Sequence, residues 1–291
     1  MYLEHFGLRE MPFSLTPDTD FFYRYGAWQE ALDVLIVALR GGEGFIKISG
    51  EVGTGKTLLC RKLLASIGED EFVTAWLPNP CLTPAALRMA LADELGIRYP
   101  RNQGQHRLLT RINEALIDIN ASGRRVVVLL DEAQALPGDT LEALRLLTNL
   151  ETEKSKLLQV VLFGQPELDE RLARPGLRQL RQRIGFSHRL RTIDRDGLPG
   201  YLAHRLRVAG YHGKPLFLTQ VQAALFAASH GVPRLINILA HKSLMAAFGR
   251  GLSTVDGDCV ALACRDTEGV MAPSGFLARC IRQCRLVGVP A

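Results

Sequence analysis

Leu32, Leu35, Ile36 and Leu39 return every three or four positions, the spacing that gathers apolar side chains on one face of a helix. They predict a helix over Glu30–Arg40, ended by Gly41-Gly42. Just beyond, the period changes. Phe45–Ser49 reads as a short apolar strand, and a helix is expected from Gly55 to Ser66. Phe72–Leu77 is a second strand. Thr83 then offers a side-chain cap and Pro84 a preset first helical residue, so a helix should run from there to Leu95. Gln105–Asn120 is another helix, ended near Gly123. In Val126–Leu130 every position is apolar, as a strand buried on both faces requires. Thr140–Leu150 is helical, Leu157–Phe163 is a strand, and Phe186–Leu190 is a candidate fifth.

Strands alternating with helices in this way predict an α/β fold, a parallel five-stranded sheet flanked by helices. After Arg191 the strand signal stops. Asp194–Val208, Thr219–Ser229, Pro233–Phe248 and Thr254–Cys264 read as helices of a small all-α lid domain. The expected division is 1–192 for the α/β domain with an aromatic N-terminal segment, 193–268 for the lid, and 269–291 for a tail. Tyr2, Phe6, Phe13, Phe21, Phe22 and Tyr23 crowd the N-terminal segment, which must therefore pack on something. The tail is expected to be poorly ordered or to form one weak helix. Leu277, Ile281 and Cys284 would share its apolar face, with Arg279, Arg282 and Arg285 nearby.

Composition narrows the setting. The 291 residues are 47% hydrophobic and 22% charged, ordinary for a water-soluble globular chain. No apolar run reaches membrane-spanning length. Residues 1–20 carry charges and two prolines, with no apolar signal core. The expectation is a cytoplasmic protein whose membrane contact, if any, is peripheral or through partners. The six cysteines form no CxxC pair and have no histidine cluster beside them, which argues against a zinc site. The net charge of +5 is compatible with nucleic acid or anionic lipid and compels neither. Its distribution is uneven: seven arginines and no acid lie between Arg171 and Arg191.

Gly50-Glu51-Val52-Gly53-Thr54-Gly55-Lys56-Thr57 fits GxxxxGK[ST] in full, with Leu58 continuing into the helix. The glycines let backbone N–H groups converge on phosphates. The helix start adds its partial positive charge. Lys56 is expected to reach the β- and γ-phosphates, and Thr57 to offer its hydroxyl to Mg²⁺. The flanking strand and helix are the context this motif needs. Downstream, the all-apolar strand delivers Asp131 and Glu132 to its end. In P-loop nucleotide-binding proteins the acid at the first of these places holds Mg²⁺. The next acid, Glu132, can polarise an attacking water.

With both elements on one chain, the sequence resembles the AAA+ P-loop NTPases, specifically the ExeA/MshM-like group associated with type II secretion and mannose-sensitive haemagglutinin (MSHA) pilus biogenesis. Its opening, with Phe6-Gly7-Leu8, Pro12-Phe13-Ser14 and Thr16-Pro17-Asp18, is similar to that group's N-terminal signature. Gly164-Gln165-Pro166-Glu167-Leu168 and Leu180-Arg181-Gln182-Arg183-Ile184 match as well. The resemblance spans roughly residues 1–268. The length, with no long C-terminal extension carrying a membrane span, looks more like the MshM branch than the ExeA branch.

This resemblance implies an ATPase using ATP and Mg²⁺. It implies that Gln165 senses the γ-phosphate or the water from the end of the fourth strand, where many relatives in the wider class carry Asn. It implies that Arg183, with Arg181 as second choice, acts as an arginine finger in a neighbouring subunit's site. Arg234, in Gly231-Val232-Pro233-Arg234, resembles the sensor-2 arginine. Trp28 stands where many relatives have His, and either packs near the adenine or belongs to the core. Implied partners are further copies of the chain, in a nucleotide-dependent oligomer, and inner-membrane pilus or secretion assembly proteins. DNA is possible but not favoured. The alternative reading is a DNA-binding AAA+ ATPase of the transposition target-selection type, which the Arg171–Arg191 cluster keeps open.

Overall fold

The computed structural model describes residues 2–78, 81–100, 104–151 and 156–270. The tail expected over 269–291 thus lies almost entirely outside the described residues. In chain order the elements are α1 (Tyr2–Phe6), α2 (Gly26–Arg40), β1 (Phe45–Ser49), α3 (Lys56–Leu64), β2 (Phe72–Leu77), α4 (Pro84–Glu94), α5 (Gln105–Ala121) and β3 (Arg125–Leu130). There follow α6 (Gly138–Leu147), β4 (Leu158–Gly164), α7 (Pro166–Leu172), α8 (Arg178–Arg183), β5 (Ile184–Arg189), α9 (Gly197–Val208), α10 (Thr219–Ser229), α11 (Pro233–Gly249) and α12 (Gly257–Arg265). Every strand expected from the apolar pattern is present, most within two residues of its expected ends. The short helices α7 and α8 were not expected; their high density of charge hides the period of so few turns.

The chain divides into two compact units. The first holds the sheet, in the order β2-β3-β4-β1-β5, with every neighbouring pair parallel. β3 and β4 are buried along nearly their whole length, which is why neither alternates polar with apolar residues. One core lies where Val126, Val128, Leu130, Val160 and Leu162 meet Leu87, Leu91, Leu108 and Ile112 of α4 and α5 and Leu141 and Leu144 of α6. Thr83 caps α4 as its sequence requires, its Oγ1 accepting from the Ala86 N–H at 3.2 Å. The strand order has a direct consequence for chemistry. β4 separates β1, which leads into the glycine-rich loop, from β3, which ends at Asp131. Residues at the C-terminal ends of β1, β3 and β4 therefore converge on one edge of the sheet, where parallel α/β sheets bind ligands.

The second unit is helical, and it includes residues that the expected division grouped with the sheet. Residues 2–25 pack into this unit with 192–270, and the loop tip Gly53–Gly55 clusters there as well. The physical reason lies in the aromatic segment and one buried arginine. The Arg205 side chain on α9 is only 4% exposed. Its guanidinium donates to the carbonyls of Pro12 and Ser14 and stacks over the Phe21 ring at 4.6 Å. Phe13 meets Phe217 edge-on, and the Tyr2 hydroxyl lies 2.9 Å from His241 Nδ1 on α11. Gly197 and Gly200 on α9 leave a shelf for Tyr25 and Tyr23. A Cβ at Gly197 would stand 2.6 Å from the Tyr25 ring, and one at Gly200 would overlap the Tyr23 hydroxyl.

Candidate nucleotide site

The loop after β1 is built for an anion. Gly53 and Gly55 have φ of +79° and +92°, values open to glycine and costly for any residue with a Cβ. Thr54 between them is fully buried, while Glu51 and Val52 are exposed. α3 begins at Lys56, so its unpaired N–H groups face the loop. Gly50, Thr57 and Leu58 complete the run at its two ends. Lys56 is 5% exposed and donates to the carbonyls of Gly50 at 2.8 Å and Glu51 at 3.0 Å. Burial pushes its pKa down, against the pull of Glu132, Asp131, Glu51 and Glu167, whose charges favour the cation. A buried cation held by neutral carbonyls is set to gain from a polyanion.

At the end of β3, Thr57 Oγ1 donates to Asp131 Oδ2 at 2.7 Å. The other oxygen, Oδ1, accepts the Glu132 N–H at 2.9 Å. This pair of hard oxygen donors suits Mg²⁺, which binds oxygen at about 2.0–2.1 Å in octahedral geometry and so places neighbouring ligands about 2.9 Å apart. Thr57 and Asp131 are the residues that would hold it.

Glu132 adopts the left-handed conformation, φ 52°, which a residue with a side chain takes only when its surroundings impose it. Its Oε2 accepts from Gln134 Nε2 at 2.5 Å and from Gln165 Nε2 at 3.0 Å. Burial alone would raise the carboxyl pKa. The two amide donors and the Lys56 charge outweigh it and hold Glu132 below its ordinary value. The group is therefore an ionised acceptor at neutral pH, able to orient a water and take part in removing its proton.

Gln165 follows the last residue of β4, and its side chain reaches Glu132. Two contributors were absent from the sequence reading. Gln134 binds Glu132 and also accepts the Gln165 backbone N–H at 3.0 Å. Arg171, in the last turn of α7, donates to the carbonyls of Gln134 and Leu136. The only sequence signal for Gln134 was its position two residues after Glu132.

The remaining candidates lie elsewhere. Arg181 is exposed and Arg183 half-buried in the last turn of α8. Among the described residues neither is bonded to the loop, Asp131 or Glu132. Glu142 on α6, held low chiefly by its hydrogen bond to Arg145, also feels the Arg183 charge. In the helical unit Arg234 lies exposed in the first turn of α11, and its N–H donates to the Gly53 carbonyl at 3.2 Å. Trp28 is buried within α2.

The sheet order and this loop together define the AAA+ P-loop fold. Residues 39–172 match the family model described as an AAA domain. The chain is 42% identical over 270 residues to General secretion pathway protein A of Aeromonas hydrophila, an alignment covering 93% of this chain and 49% of that protein. It thus spans about half the length of the curated relative it matches. Among solved structures, the Aeropyrum pernix ORC2 protein superposes with a TM-score of 0.65 at 17% identity, over 90% of this chain and 73% of that one. Cdc6p from Pyrobaculum aerophilum gives 0.65 at 18% identity, over 96% and 74%. At such identities these structures speak for the fold alone. Among the described residues no helix is long and apolar enough to cross a membrane, and no cluster of His, Cys, Asp and Glu is arranged to hold a metal ion.

Proposed function

We propose that this chain binds and hydrolyses ATP with Mg²⁺ and supports assembly of a pilus or secretion complex at the inner membrane. The observation that carries the chemistry is the meeting of Thr57, Asp131 and Glu132 beside the buried Lys56. The loop N–H groups and Lys56 would bind the phosphates. Thr57 and Asp131 would hold Mg²⁺, whose charge offsets that developing on the β- and γ-oxygens. Glu132, ionised and fixed on one oxygen by two amides, orients the attacking water. Gln165, bonded to Glu132 from the end of β4, reports whether a γ-phosphate is present. Arg183, or Arg181, completes the site of a neighbouring copy, which makes turnover depend on self-association.

The assembly role rests on the 42% identity to a secretion-pathway protein over most of this chain. The chain would act in the cytoplasm and reach the inner membrane through partners, as an MshM-like protein. The run of arginines from Arg174 to Arg191 supports a second reading, a DNA-handling ATPase. One paired experiment separates them. Duplex DNA is titrated at ~150 mM salt with and without a non-hydrolysable ATP analogue, and cells are fractionated with and without the pilus or secretion gene cluster. Membrane recovery that depends on those genes, with only salt-labile DNA binding, supports the assembly role. Tight ATP-dependent DNA binding by a protein that stays soluble in both strains overturns it.

A further inference from the structure

The carboxylate of Glu132 sits in a closed ring of hydrogen bonds among three residues, and Gln134 is the member that uses both ends of its amide. Its Nε2 donates to Glu132 Oε2 at 2.5 Å, and its Oε1 accepts the Gln165 N–H at 3.0 Å. Gln165 Nε2 closes the ring on the same Glu132 oxygen at 3.0 Å. The amide cannot spin out of this arrangement without losing both bonds. Its backbone is fixed as well, because the Arg171 guanidinium grips the carbonyls of Gln134 and Leu136 and so ties α7 to the turn after β3. Both donors fall on Oε2. Among the described residues Oε1 accepts no hydrogen bond and is the oxygen left for water. The left-handed backbone of Glu132 presents the side chain to this ring.

We infer that Gln134 is a positioning residue for hydrolysis: it selects Oε1 of Glu132 as the oxygen that meets the attacking water, and it couples the end of β4 to that carboxylate. The inference rests on the proposed ATPase reading. When Gln165 turns toward a γ-phosphate, its hydrogen bond to Glu132 is given up, and Gln134 alone keeps the carboxylate from rotating. The site can then sense nucleotide through one amide without losing its aim through the other.

The test is a double-mutant cycle on full-length protein, with kcat and the KM for ATP measured for wild type, Gln134→Leu, Glu132→Gln and the pair. Gln134→Leu removes one hydrogen bond to a charged group and should lower kcat about ten- to a hundred-fold with KM nearly unchanged. In the Glu132→Gln background it should cost nothing further, because it acts only through the carboxylate. A merely structural residue would lower the residual rate equally in both backgrounds, and that result overturns the inference. Gln134→Glu guards against misfolding: it keeps the shape, removes the donor and should lose at least as much kcat. Its retention of wild-type kcat would equally overturn the role. The wild-type rate separates the two claims. An inactive wild type removes the ATPase reading and this inference with it, whereas additive losses in an active enzyme remove only Gln134's role.

Discussion

The Thr57 hydroxyl donates to Asp131 Oδ2 at 2.7 Å, joining the first turn of α3 to the end of β3. Two hard oxygens at that separation can enter one cation's shell. ATP affinity should therefore rise on adding Mg²⁺, and that gain should shrink about tenfold or more in Asp131→Asn and in Thr57→Ala. Titrating a fluorescent ATP analogue with Mg²⁺ and with chelator measures it. An equal gain in wild type and both variants would mean the cation sits elsewhere.

Lys56 and Glu132 divide binding from chemistry. Lys56→Ala should lose ATP binding or most turnover, because the buried ammonium is the loop's fixed positive charge. Glu132→Gln keeps the shape, cannot take a proton, and should bind ATP within a few-fold of wild type while losing about 10²–10⁴ in rate. Binding and phosphate release are measured side by side. Wild-type hydrolysis by Glu132→Gln would assign the water to another group.

Arg183 is expected to act between copies. Specific activity should climb with protein concentration, and Arg183→Ala should lower turnover with ATP binding intact; such fingers are worth roughly 10³–10⁵ in rate. Mixing Arg183→Ala with Lys56→Ala should restore part of the activity, since one supplies a sound loop and the other a sound arginine. Activity that is independent of concentration, with no restoration on mixing, points to a site complete within one chain.

How much of this was legible depended on whether the signal was local. β3 announced itself because five consecutive apolar residues have no other use, and the acids after it followed at once. The glycine-rich loop is a contiguous motif, so Lys56 and Thr57 could be read directly. Gln134 could not be, because its role exists only once β4 lies beside β3 and brings Gln165 within reach. The packing of residues 2–25 was hidden for a related reason. Their aromatics declare that they must be buried, but no periodicity says against what. Arg205 gave no sign of burial either, standing close to His204 and Arg207, both of which remain more open.

The helical unit should lose stability on mild acidification. His204 packs against Tyr23, and burial, aided by Arg205 and Arg207, lowers its pKa from 6.5. His241, against Tyr2, is lowered by burial and by Lys242. A histidine whose folded pKa is depressed binds its proton more readily when unfolded, so its stabilisation is present above pH 6.5 and is lost as pH falls below it. Thermal unfolding from pH 7.5 to 5 should show Tm falling below about pH 6.5, and less steeply in His204→Gln and His241→Gln. Parallel curves for all three proteins would place the acid sensitivity in other groups.

Removing Arg205 should cost more than an ordinary surface arginine. Arg205→Met fills part of the space but leaves the Pro12 and Ser14 carbonyls without their donor, a loss of about 2–4 kcal/mol. Denaturant unfolding measures it, and proteolysis near residue 14 should quicken in parallel. A change within ~0.5 kcal/mol, normal for surface sites, would show that the carbonyls find water instead.

The docking of residues 2–25 on α9 sets a timetable for synthesis. The segment leaves the ribosome well before its partner, and the whole sheet unit is made in between. At about 5–20 residues per second, that interval is on the order of 10–30 s. Throughout it Phe13 and Phe21 lack the native partners Phe217 and Arg205, so the nascent chain carries an uncovered aromatic segment while the sheet folds. Slow translation through the middle of the message would prolong that exposure, and a chaperone that holds aromatic segments would have its main task here.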